Sequence, residues 1–441
     1  MLTLGAVLPL TGELEAAGAA MQAAVEMAVD EVNDQGGVLG ADVVLVVEDS
    51  GSTAEGAAAA STRLIDGAAV DAMIGPASTR ELTGAMLSEA LAAERVVCSP
   101  TASGPQLLAA DARGVVFTLT PSSAGEADVI ARALKADGDD RVAIVRSGDA
   151  GQEAMAGALL ASLSGAFGAG GFDVVAEVSL GASDAGDAGG ATPDEPADPS
   201  APTADAAVDA LVRARPEAVI VLASPDEAAP VFRAMFDAGL LPSAGEDGAA
   251  VWVTDSLASE ALAPAVDPRR PAILEAVAGV RPAPRPASTA FDARLRARQA
   301  VTETAFGAET YDCSMLVMLA ALAGGTDDPA RLRSIIPGLT EGGAPCATFA
   351  ACSGPLLDGA DVRYTGVLGV ALNAAGEPAS GSFERFSFDA AGRIVPGAVS
   401  TVTFDGTAPT TTTTTGGRPG SPTSAPLATP STLAETNGGD S

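Results

Sequence analysis

Two serines and one aspartate stand where short apolar runs give way to turns, positions from which a side chain can meet a small molecule. Ser78 follows the run 72–74 and immediately precedes a segment of helical period. Ser103 follows the run 96–98 and precedes Gly104-Pro105-Gln106. A serine so placed can cap a helix, and a helix N-terminus with free N–H groups and an added hydroxyl is also an anion site. Both roles stay open for each serine. Asp255 ends the run 251–254 and is followed by Ser256, so it sets a carboxylate, or a plain helix-start cap, at a comparable place.

Catalytic chemistry is poorly supplied. The chain has no histidine, which removes the commonest general base and the best zinc ligand together. It has no Cys-x-x-Cys pair, P-loop or GxSxG elbow, and no cofactor or metal is expected. A carboxylate-based enzyme would need two acids about 5–10 Å apart, and Asp255 has no partner identifiable in the sequence. Cys346 and Cys352 flank a short loop between Pro345 and Gly354, a spacing that suits a local disulfide in an oxidising compartment. Cys98 and Cys313 are far apart, and the sequence leaves them open as a pair or as two buried small hydrophobes.

The elements that must carry these residues follow a repeating pattern. Residues 2–10 are almost continuously apolar, as a strand buried on both faces should be, and Thr11 and Gly12 break the run. Residues 21–32 place apolar side chains at helical spacing. Strands at 43–47, 72–74, 96–98 and 115–119 then alternate with helices at 55–65 and 79–94. A second set has strands at 142–145, 174–178, 218–222 and 251–254, with helices at 124–136, 152–163, 206–213 and 226–238. This is the rhythm of βαβ units, so the expected fold is α/β with two doubly wound parallel-sheet lobes. Residues 181–205 are rich in Gly, Pro, Asp, Ala and Ser and are expected to be a flexible insertion. Residues 406–441, which include the threonines 410–415, are expected to be a disordered tail.

At 441 residues the chain exceeds what one core usually serves. The 57 acidic and 24 basic residues give a net charge of −33, and Lys135 is the only lysine. Such a chain repels phosphate backbones and anionic membrane surfaces, which argues against nucleic acid or a membrane as partner. No run approaches the roughly 20 apolar residues of a membrane span. If the protein is exported, its targeting segment has been removed before Met1.

In order along the chain come Gly5-Ala-Val-Leu-Pro-Leu-Thr-Gly12, Glu31-Val-Asn-Asp-Gln-Gly-Gly-Val-Leu-Gly40 and Val47-Glu-Asp-Ser50. Ile74-Gly-Pro-Ala-Ser78, Ser99-Pro-Thr-Ala-Ser103 and Tyr311-Asp-Cys313 follow. Tyr364-Thr-Gly-Val-Leu-Gly369 and Gly376-Glu-Pro-Ala-Ser-Gly-Ser-Phe383 close the series. Their order and spacing over about 2–405 resemble the type I periplasmic binding proteins, in particular the leucine/isoleucine/valine-binding group of ABC-transporter substrate-binding proteins. The acidic composition and the Cys346/Cys352 loop look most like actinobacterial members.

The resemblance implies a two-lobed Venus-flytrap with a three-crossing hinge near Thr120, Ser256 and Tyr364. Lobe one would be 2–119 with 257–363, and lobe two 120–256 with 364–405. It implies a non-enzymatic, extracytoplasmic monomer that takes a small-molecule ligand, an amino acid or similar, to an ABC permease; a sensory module would use the same cleft. Ser78, Ser103 and the backbone of Ala102 would hold a ligand carboxylate, and Asp255 the ammonium group. Thr11, Ala150 and Ser224 fall at further pocket positions. Ala17, Ala150 and roughly Ser224 stand where the family's leucine binder has aromatic rings, which enlarges the pocket or weakens its grip on an aliphatic side chain. Tyr311 is open to a place in the cleft or on a core helix.

Overall fold

The computed structural model describes residues 1–104, 107, 111, 113–148, 150–165, 171–180, 203–244, 248–283, 288–299, 301, 303–404 and 409–413. It contains two large sheets. The first has five parallel strands in the order β2-β1-β3-β4-β5: β1 Thr3–Leu8, β2 Val44–Asp49, β3 Ala72–Ile74, β4 Val96–Ser99 and β5 Val116–Thr118. Near-continuous apolar strands follow from covering both faces. Leu4, Ala6 and Leu8 of β1 enter one core, where the helices Glu15–Asp34 and Gly307–Gly324 pack, while Val7 enters the core under Ala54–Thr62 and Ala85–Ala93. The helix Gly307–Gly324 is buried almost all round, as its apolar composition requires.

The second sheet has eight strands. β6 Arg141–Arg146, β7 Asp173–Ser179, β8 Ala218–Leu222, β9 Ala250–Val253 and β10 Ala278–Pro282 form its parallel part. β13 Ser380–Phe388, β14 Ile394–Thr403 and β15 Thr410–Thr413 continue it antiparallel beyond β10. A small parallel pair, β11 Ala344–Cys346 and β12 Val362–Tyr364, stands apart.

Several boundaries differ from the sequence-based expectation. β10 pairs with β9, and the helix Leu262–Val266 buries Leu262, Ala263 and Val266 in the second sheet's core, so 257–282 goes with the second sheet rather than the first. The crossing expected near Ser256 therefore falls after Pro282. Leu372 still packs in the first core, which places the last return after it rather than at Tyr364. The helix expected over 79–94 is interrupted at Gly84, whose φ is +73°. Thr410–Thr413, expected within the tail, adds an edge strand, a place where β-branched residues fit. Thr203 caps the helix Ala204–Ala214, inside the expected insertion; its other residues up to 202, and the tail from 414, lie outside the described residues.

Both cysteine pairs are disulfides. Cys346–Cys352 closes the short loop, and Cys98–Cys313 joins β4 to the buried helix Gly307–Gly324.

The turn after β3 depends on one glycine. Gly75 has φ +103°, and a Cβ there would lie 2.1 Å from the backbone oxygen of Val7. Gly75→Ala should cost about 3 kcal/mol or more, whereas Gly36→Ala, with φ +97° but open space around it, should cost about 1. Urea midpoints of the two variants check this; equal losses would show that the contact with Val7 carries no cost.

Candidate ligand-binding cleft

A cleft of about 580 Å³ lies beyond the carboxyl ends of the parallel strands of both sheets, where open α/β sheets bind ligands. The loops after β3 and β4 bring Ala77, Ser78, Thr79, Thr101, Ser103 and Gly104 to it. Thr254 and Asp255 come from the end of β9, Gly151, Gln152 and Met155 from the helix Ala150–Gly165, and Ser123 and Glu126 from the helix Ser123–Asp137. Asp292, Phe306 and Glu309 form a further wall, and Thr120, Pro121, Pro282, Ala283 and Leu368 the hinge side.

On the first sheet's side the loops are braced from within. Ser99 Oγ donates to Pro76 O at 2.9 Å and accepts the Ala102 N–H at 3.0 Å. Ser103 N–H donates to Thr79 Oγ1 at 3.1 Å. Ser78 caps the short helix Thr79–Leu82: its hydroxyl accepts the Glu81 N–H and donates to Glu81 Oε2 at 2.8 Å. Burial pushes the Glu81 carboxyl up, against the lowering hydrogen bonds from Ser50 and Ser78. Thr101 Oγ1 is buried on this wall with no hydrogen-bond partner among the described residues.

The second sheet's side is acidic. Glu126 is 2% exposed, and its Oε1 accepts the Asp255 N–H at 2.8 Å. Burial raises the Glu126 carboxyl well above the ordinary range, and the neighbouring Asp255 charge adds to it. The Asp255 side chain opens into the cleft, but surrounding protein strips enough water from it to raise its pKa as well. Ser103 O accepts both the N–H and the hydroxyl of Ser123, at 2.9 and 3.2 Å, which links the two walls near the first crossing.

Three of the residues expected at a site, Ser78, Ser103 and Asp255, thus face one cleft. Ala102 lies behind it, buried, with its N–H taken by Ser99. Ala150 opens a helix whose next two residues line the cleft. The remaining three positions, Tyr311, Thr11 and Ser224, do not line this cleft. Tyr311 is 1% exposed, its hydroxyl bonded to Glu31 Oε2 and its ring 5.2 Å from that of Phe291, so it belongs to the core. Thr11 is exposed outside the cleft and donates to Asp49 Oδ2 at 2.7 Å. Ser224 starts the helix Pro225–Asp237, its hydroxyl held by Glu227 Oε2 at 2.7 Å.

Sequence reasoning missed Glu126, Asp292 and Phe306. Ser123-Ala-Gly-Glu126 has the form of a capping box, which hides the acid among helix caps. Phe306, with φ +62°, is the one aromatic residue lining the cleft among the described residues, and only the fold brings it there.

Comparison with known proteins gives one pattern. Residues 2–353 match the family model described as periplasmic binding protein. The Leu/Ile/Val-binding protein BraC3 of Rhizobium johnstonii is 34% identical over 166 residues, 37% of this chain and 44% of that protein, so the chain spans less than half of this relative. The chemotactic signal transduction system substrate-binding protein BasB of Halobacterium salinarum is 27% identical over 390 residues, 86% of this chain and 85% of that one. The leucine binding protein LivK of Thermotoga maritima superposes with a TM-score of 0.64 at 16% identity, covering 90% of this chain and 98% of that one.

Proposed function

This chain belongs to the periplasmic binding protein family, and we propose that it is an extracytoplasmic substrate-binding protein that captures an amino acid or related small polar solute for an ABC permease. The observation that carries the proposal is the 580 Å³ cleft, walled by loops from both sheets and lined by hydroxyls and carboxylates. Segments that join two sheets around such a space allow hinge closure, which turns binding into a change of shape that a membrane partner can read. Two disulfides fit an oxidising compartment. Among the described residues no helix is long and apolar enough to cross a membrane. We divide the lobes at about 120, 283 and 378, between the elements of the two sheets.

Thermal unfolding against amino acids, amides, amines and small carboxylates tests the proposal. A ligand at 100 times its Kd should add about 2.7 kcal/mol of stability. Asp255→Asn should weaken that ligand by roughly 2 kcal/mol, or about 30-fold, by removing one partner of an enclosed charge pair. An unchanged Kd would take Asp255 out of the site, and no stabilising solute in any class would sink the proposal. The ligand should be recovered intact after long incubation; conversion would favour an enzyme using Glu126 and Asp255.

The long match to the halobacterial protein, whose name places it in chemotactic signalling, favours a second reading as a sensory receptor with the same cleft. Uptake of labelled ligand by cells lacking the protein separates the two. Lost uptake supports transport, and normal uptake with lost behavioural response supports sensing.

A further inference from the structure

We infer that the cleft selects an organic solute carrying at least two positively charged nitrogens, such as a basic amino acid or a diamine. This rests on the cleft being the ligand site, as proposed above, and names the class of solute it takes.

Carboxylates stand on opposite walls. Glu126 and Asp255 belong to the second sheet's side, and Asp292 to the helix Ser288–Gln299, which anchors Phe291 and Leu295 in the first sheet's core. No Lys or Arg lines the cleft among the described residues. Arg296 comes to its rim, donating to Thr304 Oγ1 at 3.2 Å, without forming part of the wall.

Glu126 is 2% exposed and faces the cleft, yet it forms no ion pair among the described residues, and its Oε1 accepts the Asp255 N–H. That contact brings the Asp255 backbone to the Glu126 carboxylate and sets two acids side by side. A cation entering beside them replaces repulsion with attraction in a place of low dielectric. A second cationic nitrogen on the same solute would meet Asp292 across the cleft.

Apart from the Thr101 hydroxyl, the backbone N–H groups and capping hydroxyls that would hold a ligand carboxylate are mostly engaged inside the protein. The Ala102 N–H is given to Ser99 Oγ, the Ser103 N–H to Thr79 Oγ1, the Ser78 hydroxyl to Glu81, and the Ser123 N–H and hydroxyl to Ser103 O. A carboxylate held by these groups would have to displace their bonds, whereas an ammonium group finds acceptors already facing the cleft.

Titration calorimetry of the full chain with lysine, ornithine, arginine, putrescine, cadaverine, leucine and alanine decides the question. Lysine, arginine or a diamine should bind at least 100-fold more tightly than leucine, and more weakly as salt is added. Glu126→Gln and Asp292→Asn should each weaken that ligand at least 10-fold, with unfolding midpoints in the absence of ligand showing that the variants stay folded. A diamine that matches lysine shows that the carboxylate goes unread, while lysine well above cadaverine shows that it is read as well; either result supports a dicationic solute. Leucine or alanine binding as tightly as lysine overturns the inference and leaves the substrate-binding role standing. Failure of every solute, in this set and in the wider panel above, removes both.

Discussion

Asp312→Ala should destabilise the protein by about 3–5 kcal/mol at neutral pH, because it removes the acceptor on which the segment ahead of the last crossing is hung. Asp312 is 3% exposed on the helix Gly307–Gly324. Its Oδ1 accepts the Tyr364 hydroxyl at 2.7 Å, and its carboxylate takes the N–H groups of Val367 at 3.0 Å and Leu368 at 2.9 Å. Gly366 sits so close that a Cβ there would lie 2.3 Å from Asp312 Oδ1. Alanine at 312 would leave one buried hydroxyl and two N–H groups without their acceptor. Burial lifts the Asp312 carboxyl to about 6, although the three hydrogen bonds pull the other way. The folded state therefore binds this proton more strongly than the unfolded state does. That contribution is full below about pH 4 and is lost as the pH rises toward 6 and beyond, an overall difference on the order of 3 kcal/mol. The destabilisation by Asp312→Ala should accordingly grow as the pH falls from 7 to 4. Urea unfolding of both proteins across that range measures it, and a difference that stays flat with pH would show that Asp312 titrates normally.

The double variant Cys98→Ala/Cys313→Ala should lose about 5 kcal/mol if the bond acts by restricting the unfolded chain, against about 2 for Cys346→Ala/Cys352→Ala. The contrast follows from sequence separations of 215 and 6 residues. The long bond also joins two segments that meet only in the folded first core, with Cys98 on β4 and Cys313 one residue beyond Asp312. Its loss and the loss of Asp312 should not add, since both loosen the same stretch of helix. Guanidinium midpoints of the two double variants test the loop argument. Equal losses would assign the stabilisation to local packing.

The alternation of apolar runs with helical periods disclosed the α/β class and most strands, because strands covered on both faces must be continuously apolar. β10 escaped: Ala278, Gly279 and Val280 are followed by Arg281 and Pro282, and nothing local separates this from a loop. It becomes a strand because β9 and β13 supply its partners from either side. The place of Ser78, Ser103 and Asp255 on the cleft is legible because each follows a strand within a few residues. That of Glu126 is not, since its role depends on meeting Asp255 across 129 residues. Tyr311 and Ser224 show the opposite case: a polar group that could have met the cleft finds a partner within the protein, Glu31 for Tyr311, which takes the core-helix place of its two readings, and Glu227 for Ser224.

The interleaving of the chain governs the order in which its parts can be completed during synthesis. The first sheet is laid down by residue 118, yet one of its faces is covered only in part, by Glu15–Asp34, until the helix Gly307–Gly324 emerges. The second sheet waits still longer for β13 and β14. Neither half can close before the later segments of the chain have been made. Cys98 can meet Cys313 only after the helix Gly307–Gly324 has been made, which makes oxidation a late seal on an already assembled core rather than a guide to its assembly.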